Sequence, residues 1–126
     1  MIELEITENT LHHSGRQEYA LVCGEDVVGV IDLFNYDAAD QRAEFGMFID
    51  PSKRGMGYGF ASATALLDYS RNTLHLHQLV CDIAIDNQAS LNLFDKVGFT
   101  RCGILKDWTA TPQGWADAIR MQKILD

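Results

Sequence analysis

One stretch constrains the fold of this chain most: residues 54–59, Arg-Gly-Met-Gly-Tyr-Gly, between an extended apolar run and a helix-like run from Phe60. Glycines at alternate positions let a backbone approach a ligand closely and turn successive N–H groups inward. A helix start adds N–H groups without intrahelical partners and a dipole that favours negative charge. No Ser, Thr, Asp or Asn stands directly before Phe60 to cap those groups. The stretch therefore predicts an anion-binding loop.

This loop matches neither of two common phosphate-binding motifs. A P-loop needs Lys and then Ser or Thr after its last glycine, and the dinucleotide fingerprint needs a glycine where this chain has Phe60. The strand before the loop also belongs to a predicted antiparallel meander, whereas dinucleotide sites follow the first strand of a βαβ unit. We therefore expect a different phosphate-bearing ligand.

Length and charge narrow the function classes. A chain of 126 residues fits one domain over residues 1–126. Its net charge of −8 argues against nucleic acids and anionic membranes as partners and mildly favours a cationic substrate. Cys23, Cys81 and Cys102 lack the spacing of a disulfide framework or a zinc site, and no apolar run is long enough to cross a bilayer. We expect a cytoplasmic protein without a metal.

The pattern before the loop predicts three antiparallel strands. β-Branched and aromatic residues cluster from Tyr19 to Cys23 and from Val27 to Phe34, around a tight turn, and again from Arg42 to Ile49. Alternation along the third strand places Glu44 on the face opposite Phe45.

The first residues leave alternatives open. Residues 1–10 fit either the alternation of a strand or a helical stripe. The adjacent His12 and His13, followed by Ser14-Gly15, predict a loop.

After the loop, the pattern predicts a helix, a strand, a second helix capped by Asn87 and a final hairpin of about Phe99–Trp108 and Trp115–Leu125. The apolar face of the first helix comprises Phe60, Ala63, Leu67, Ser70 and Leu74. A crossover connection places the strand from Leu79 to Ile85 parallel to the strand from Arg42. The expected fold class is mixed α/β, of the α+β kind: one mostly antiparallel sheet with a central parallel pair and flanking helices.

Two separated motifs resemble the GNAT superfamily of N-acetyltransferases. Arg54-x-x-Gly57-x-Gly59 resembles its acetyl-CoA loop, and the segment from Asn87 to Phe99 is similar to its Asn-x-x-Ser helix that ends in Gly-Phe. The resemblance covers roughly Tyr19 to the C-terminus and is closest to the branch of ribosomal-protein N-terminal and spermidine N-acetyltransferases. It implies the acyl-CoA N-acyltransferase fold with a short N-terminal part. That part forms either a helix remnant or a replacement strand, or a partner subunit completes the sheet as in a homodimer.

The resemblance also implies acetyl-CoA as cosubstrate and a primary amine as acceptor, either a polyamine-like small amine or a peptide N-terminus. Its motifs assign to acetyl-CoA the residues Met47, Phe48, Ile49, Arg54, Gly55, Met56, Gly57, Tyr58, Gly59, Phe60, Asn87, Ser90, Phe94 and Lys96.

The catalytic roles follow from the same resemblance. Glu44 matches the place of a general base among neighbours expected to desolvate it, although a strand glutamate facing solvent is the alternative. Many relatives carry Tyr where this chain has Phe94, so Ser90 becomes the implied proton donor to the leaving thiolate, with Tyr58 as a weaker substitute. The chain either transfers acetyl directly in a ternary complex or is a catalytically impaired acyl-CoA-binding or regulatory module.

Overall fold

The computed structural model describes residues 1–126 as seven strands, three α-helices and one 3₁₀ turn. In chain order these are β1 (Ile2–Glu5), α1 (Leu11–Ser14), β2 (Gln17–Cys23), β3 (Asp26–Asp37), β4 (Arg42–Ile49), the 3₁₀ turn Pro51–Lys53, α2 (Tyr58–Asn72), β5 (Gln78–Ala84), α3 (Gln88–Lys96), β6 (Thr100–Thr111) and β7 (Gly114–Ile124).

All seven strands form one sheet in the order β1-β2-β3-β4-β5-β7-β6. Every neighbouring pair is antiparallel except β4 and β5, which are parallel and joined through α2. The predicted fold class, with its meander, its central parallel pair and its final hairpin, is confirmed.

The N-terminal residues contain both a strand and a short helix. β1 pairs antiparallel with β2, with Ile2 opposite Cys23, so the strand alternative is right. The loop predicted at His12 and His13 is wrong, because these residues lie in the one-turn helix α1. Its Leu11 is buried in the core, and Gly15 ends the turn in a left-handed conformation with its N–H donating to the Leu11 carbonyl at 2.8 Å.

Helix α2 presents a different face to the core from the one predicted. Its buried residues are Ser62, Ala63, Leu66 and Ser70, whereas Phe60 is 43% exposed. The helix also begins at Tyr58 and ends at Asn72, so it starts earlier than expected and does not include Leu74. Ala63 and Ser70 belong to both faces, whereas the buried Ser62 was missed because a hydrophobicity pattern counts serine as polar.

An aromatic cluster fixes α3 against the sheet. Phe45 of β4 packs edge-to-face on Phe94 of α3 and on Phe99, with ring centroids 5.6 and 5.9 Å away, and the Phe94 and Phe99 rings are 5.3 Å apart. All three side chains are buried. This contact holds the start of β6 and the base of α3 next to the parallel pair.

None of the helices is long and apolar enough to cross a membrane. Cys23, Cys81 and Cys102 are all free thiols, and the cytoplasmic location stays a prediction.

Replacing Phe99 by Ala is expected to lower the free energy of unfolding by about 3–5 kcal/mol, because the ring fills a buried site between two other rings. Urea titration measures the change. Val27→Ala, at a side chain that is 57% exposed, is the control and should change stability by less than about 0.5 kcal/mol. Equal effects of the two substitutions would show that the ring cluster is not a packed core.

Candidate active site

The parallel strands β4 and β5 pair over only a short length. Their ladder contains Arg42 with Gln78, Ala43 with Leu79 and Glu44 with Val80, and it stops there. Both strands continue past this point, β4 to Ile49 and β5 to Ala84. One edge of β4 therefore has no ladder partner beyond Glu44, and a wedge opens between the strands.

A cavity of about 160 Å³ occupies this wedge. Its lining residues come from both strands and from the start of α3: Phe45, Gly46, Met47, Cys81, Asp82, Ile83, Ala84, Asn87, Ser90 and Phe94. Gly46 leaves open space on its strand, since a Cβ atom built there would have no neighbour within 4 Å.

The glycine loop joins the end of β4 to the start of α2. Gly55 and Gly57 have φ angles of 76° and 82°, a left-handed conformation that other residues rarely adopt. Gly57 is also the N-cap of α2, which has no side-chain cap. Ala61 is the first residue of the helix whose N–H donates to a carbonyl, that of Gly57 at 3.2 Å, so the N–H groups of residues 55–60 donate to no protein acceptor. The loop thus has the unpartnered N–H groups expected from the sequence, and its binding of an anion stays a prediction.

The third glycine of the loop serves packing. A Cβ atom on Gly59 would lie 3.3 Å from Cδ2 of Leu93 in α3, closer than most real Cβ contacts. A side chain at this position would therefore require the Leu93 side chain to shift. The glycine keeps the starts of the two helices close together.

A larger cavity of about 370 Å³ lies between the end of β4, the loop and α3. Most of the residues predicted to hold acetyl-CoA line it. The lining comprises Met47, Phe48, Ile49, Lys53, Arg54, Gly55, Gly57, Tyr58, Gly59, Asn87, Ala89, Ser90, Leu93 and Phe94.

Three of the predicted acetyl-CoA residues lie outside this lining. Met56 is 62% exposed, and Phe60 and Lys96 contact each other, with the ammonium 4.9 Å from the ring centroid. Lys53 also lines the cavity but was not among the predicted residues, although a cation directly before Arg54 was a signal for it. Ala89 and Leu93 carried no such signal, because their contribution comes from how α3 faces the loop.

Two cations lie at the mouth of the larger cavity in a chain whose net charge is −8. The Nε atom of Arg54 donates to the Ile49 carbonyl at 3.0 Å, and its guanidinium lies 5.1 Å from the ring centroid of the exposed Phe48. Lys53 is 3.9 Å from Asp26. Both cations line the same cavity as Gly55, Gly57 and Gly59 of the loop.

Asn87 and Ser90 lie where the two cavities meet. The Oδ1 atom of Asn87 accepts the Ser90 N–H at 3.3 Å, so the predicted N-cap of α3 is confirmed. Both residues line both the larger cavity and the wedge cavity.

Glu44 lies at the last ladder pair before the wedge. Its carboxylate accepts hydrogen bonds from Asn35 Nδ2 at 2.8 Å and from Arg120 Nη2 at 3.1 Å. The sequence predicted aromatic, desolvating neighbours, whereas the structure places polar and charged groups against the carboxylate. Glu44 does not line the 370 Å³ cavity beside the glycine loop. It lines two other open cavities, of about 410 and 500 Å³.

The cavity of 500 Å³ beside Glu44 also reaches the wedge. It shares the lining residues Phe45, Gly46, Cys81 and Asp82 with the wedge cavity. The wedge cavity in turn shares Met47, Asn87, Ser90 and Phe94 with the larger cavity. Three cavities with overlapping linings thus lie in sequence between the glycine loop, the gap between β4 and β5, and Glu44.

A family model described as an acetyltransferase (GNAT) domain matches residues 3–100 of the chain. The chain belongs to the GNAT acetyltransferase family. This match confirms the resemblance inferred from the glycine loop and the Asn87 helix.

Similar GNAT proteins fall in the expected branch. The chain is 24% identical over 117 residues to a spermidine N(1)-acetyltransferase of Escherichia coli, an alignment that covers 93% of the chain and 63% of that protein. It is 26% identical over 115 residues to an E. coli ribosomal-protein alanine N-acetyltransferase, covering 88% and 59%. The chain therefore spans about three fifths of the length of these curated relatives.

A solved structure shows the same GNAT fold over nearly the whole chain. A spermidine N-acetyltransferase SpeG chimera from Vibrio cholerae and hSSAT matches with a TM-score of 0.91 at 19% identity, covering 98% of this chain and 95% of that one. At this identity the likeness concerns the fold alone.

Replacing Gly57 by Ala is expected to lower the free energy of unfolding by about 1–2 kcal/mol, the cost of a left-handed conformation for a residue with a Cβ atom. A Cβ atom at Gly57 would meet nothing within 4 Å, so the backbone alone causes the loss. Gly103→Ala is the matched control, since it has the same open space without a positive φ. Urea titration should show the control unchanged or more stable, and a Gly57→Ala protein as stable as wild type would contradict the loop conformation.

Proposed function

We propose that this chain transfers an acetyl group from acetyl-CoA to a primary amine by direct attack in a ternary complex. One observation carries the proposal: cavities with overlapping linings lie at the glycine loop, in the gap between β4 and β5, and beside Glu44. A donor on one side and an acceptor on the other can meet only where such a gap exists.

The residues around the larger cavity fit the chemistry of CoA. The free N–H groups of residues 55–60 suit a pyrophosphate, because backbone donors and a helix N-terminus both favour an anion. Lys53 and Arg54 add positive charge beside them. The unpaired edge of β4 at Met47–Ile49 suits the amide groups of the pantetheine arm, which can pair with a strand as another strand does. The cosubstrate supplies the reactive acetyl thioester.

Glu44 and Ser90 provide the proton transfers that the reaction needs. An amine attacks only when it is neutral, so Glu44 takes a proton from it, directly or through water. The new C–N bond then replaces the C–S bond, and the sulfur leaves as a thiolate. Ser90 lines the wedge and passes a hydroxyl proton to that sulfur while it takes a proton from a solvent water, so that the products are the free thiol and a neutral serine. Phe94 lines the same cavity but cannot do so, since a phenyl ring has no acidic proton.

The acceptor side favours a cationic amine. The cavity of about 500 Å³ is lined by two carboxylates, those of Glu44 and Asp82, and by one guanidinium, that of Arg120, so its charged groups are net negative. The aromatic rings of Phe34 and Trp108 also line it. Aromatic faces and carboxylates both attract an ammonium group. A polyamine-like small amine and a peptide N-terminus both have this chemistry.

Glu44→Gln is expected to lower kcat about a hundredfold, the usual order for loss of a general base, while the acetyl-CoA dissociation constant stays within about twofold. Thiol release from acetyl-CoA with a panel of polyamines and alanine-terminated peptides measures kcat, and calorimetry measures affinity. Glu25→Gln, in the exposed turn after β2, is the control.

Three outcomes of this assay separate the alternatives. An unchanged kcat removes Glu44 from the mechanism. Tight CoA binding by the wild-type protein without thiol release on any amine identifies an acyl-CoA-binding module instead of an enzyme. Absence of CoA binding contradicts both functions.

We also propose that the chain forms a homodimer through the edge strand β6. Every residue from Thr100 to Ile104 is exposed, and Ile104, Trp108 and Trp115 are large apolar side chains at least half exposed on this hairpin. A long edge strand with exposed apolar residues favours pairing with another chain.

Light scattering after gel filtration tests the dimer. Wild type is expected at twice the chain mass of 14.1 kDa, and an Ile104→Lys, Trp115→Lys double variant at the single-chain mass, because two ammonium groups would be buried in the interface. Val27→Lys, an exposed apolar residue on β3, is the control. A wild-type monomer at all concentrations would contradict the interface.

A further inference from the structure

Three charged side chains from three strands meet where the wedge begins. Arg120 of β7 donates to Asp82 of β5 twice, from Nε to Oδ1 at 2.8 Å and from Nη2 to Oδ2 at 2.9 Å. The same Nη2 group donates to Oε1 of Glu44 on β4 at 3.1 Å. All three side chains are partly buried, with Asp82 the most enclosed at 16% exposure.

The position of this cluster in the sheet is specific. Asp82 and Arg120 are direct partners in the β5–β7 ladder. Glu44 belongs to the last pair of the β4–β5 ladder. Arg120 therefore reaches across β5 to β4 at the point where backbone pairing between β4 and β5 ends.

The double hydrogen bond to Asp82 fixes the orientation of the guanidinium. A planar guanidinium that binds a carboxylate through two parallel bonds has little freedom to rotate. Hydrogen bonding to Asp82 is the main cause that raises the pKa of Arg120 above its usual value, so the group stays charged. Asp82 thus holds the guanidinium so that its Nη2 group points at Glu44.

Both oxygens of the Glu44 carboxylate are engaged as a result. Arg120 holds Oε1, and Asn35 holds Oε2 at 2.8 Å. A carboxylate fixed at both oxygens keeps one orientation toward the cavity that it lines. A base that must meet a substrate proton in one geometry benefits from such support.

Sheet stability alone does not account for the cluster. β5 and β7 pair continuously from Gln78–Ile124 to Ala84–Ala118, so their association does not depend on a side-chain clamp. Strands β4 and β7 are not neighbours in the sheet, so the hydrogen bond from Arg120 to Glu44 joins two strands that no backbone pairing joins.

We propose that Arg120 is a positioning residue for the acetyl transfer: anchored by Asp82, it orients the carboxylate of Glu44 toward the amine acceptor at the gap between β4 and β5. This inference rests on the proposed function and on the role of Glu44 in it.

A double-mutant cycle tests the coupling between Arg120 and Glu44. Arg120→Gln is expected to lower kcat about tenfold or more while KM for acetyl-CoA stays within about twofold, because the donor site contains none of the three residues. In a Glu44→Gln background, the same substitution should change kcat by less than about twofold, since the carboxylate it orients is already absent.

Arg101→Gln is the matched control. Arg101 also binds a carboxylate through two hydrogen bonds, to Asp95 at 2.7 and 3.2 Å, but it does not contact Glu44. Its loss should leave kcat unchanged. A crystal structure of the Arg120→Gln protein should show the Glu44 carboxylate in a different orientation on an unchanged β4 backbone.

Asp82→Asn provides a second route should Arg120→Gln fail to fold, as urea titration would show. It removes the anchor but keeps Arg120, and we expect a reduced kcat that again disappears in the Glu44→Gln background.

The outcomes that overturn the inference differ from those that overturn the proposed function. Multiplicative effects of the Arg120 and Glu44 substitutions, or wild-type kcat in both Arg120→Gln and Asp82→Asn, refute the positioning role alone. A wild-type protein that releases no thiol with any amine refutes the proposed function, and the positioning role with it.

Discussion

The rest of the structure depends on the incomplete pairing of two parallel strands. Backbone hydrogen bonds join β4 and β5 only as far as Glu44 and Val80, and each strand then continues with its other edge bound, β4 to β3 and β5 to β7. The sheet remains continuous on both sides of the gap. The sheet therefore stays intact although one edge of β4 is unpaired beyond Glu44. The proposed contacts to the substrates lie at or beside this edge.

The groups around the gap divide into a donor side and an acceptor side. On the first, two left-handed glycines and an uncapped helix present N–H groups and nearby cations to an anion. On the second, the carboxylates of Glu44 and Asp82 outnumber the guanidinium of Arg120 that is paired with both, so this side keeps a net negative charge. Opposite charge preferences on the two faces suit a reaction between an anionic thioester and a cationic amine.

Sequence alone predicted the elements that depend on local chemistry. Gly57 marked the turn, Asn87 marked the cap of α3, and the alternation of β4 placed Glu44 opposite Phe45. It did not predict what depends on tertiary packing. Ser62 is buried, so the core-facing side of α2 differs from the one that the apolar pattern indicates. Arg120 contacts Glu44 although the two lie 76 residues apart along the chain. Only the register of β7 against β5 brings that pair together, and no local pattern encodes this register.

Amide NMR during a CoA titration tests whether the glycine loop binds the pyrophosphate of CoA. If it does, the backbone N–H resonances of Gly55, Gly57 and Gly59 will shift saturably, together with those of Met47–Ile49 on the free edge of β4. Resonances of Gly24 and Gly114, in turns away from the cavity lining, should not move. Saturable binding that leaves the loop resonances unchanged would contradict the account.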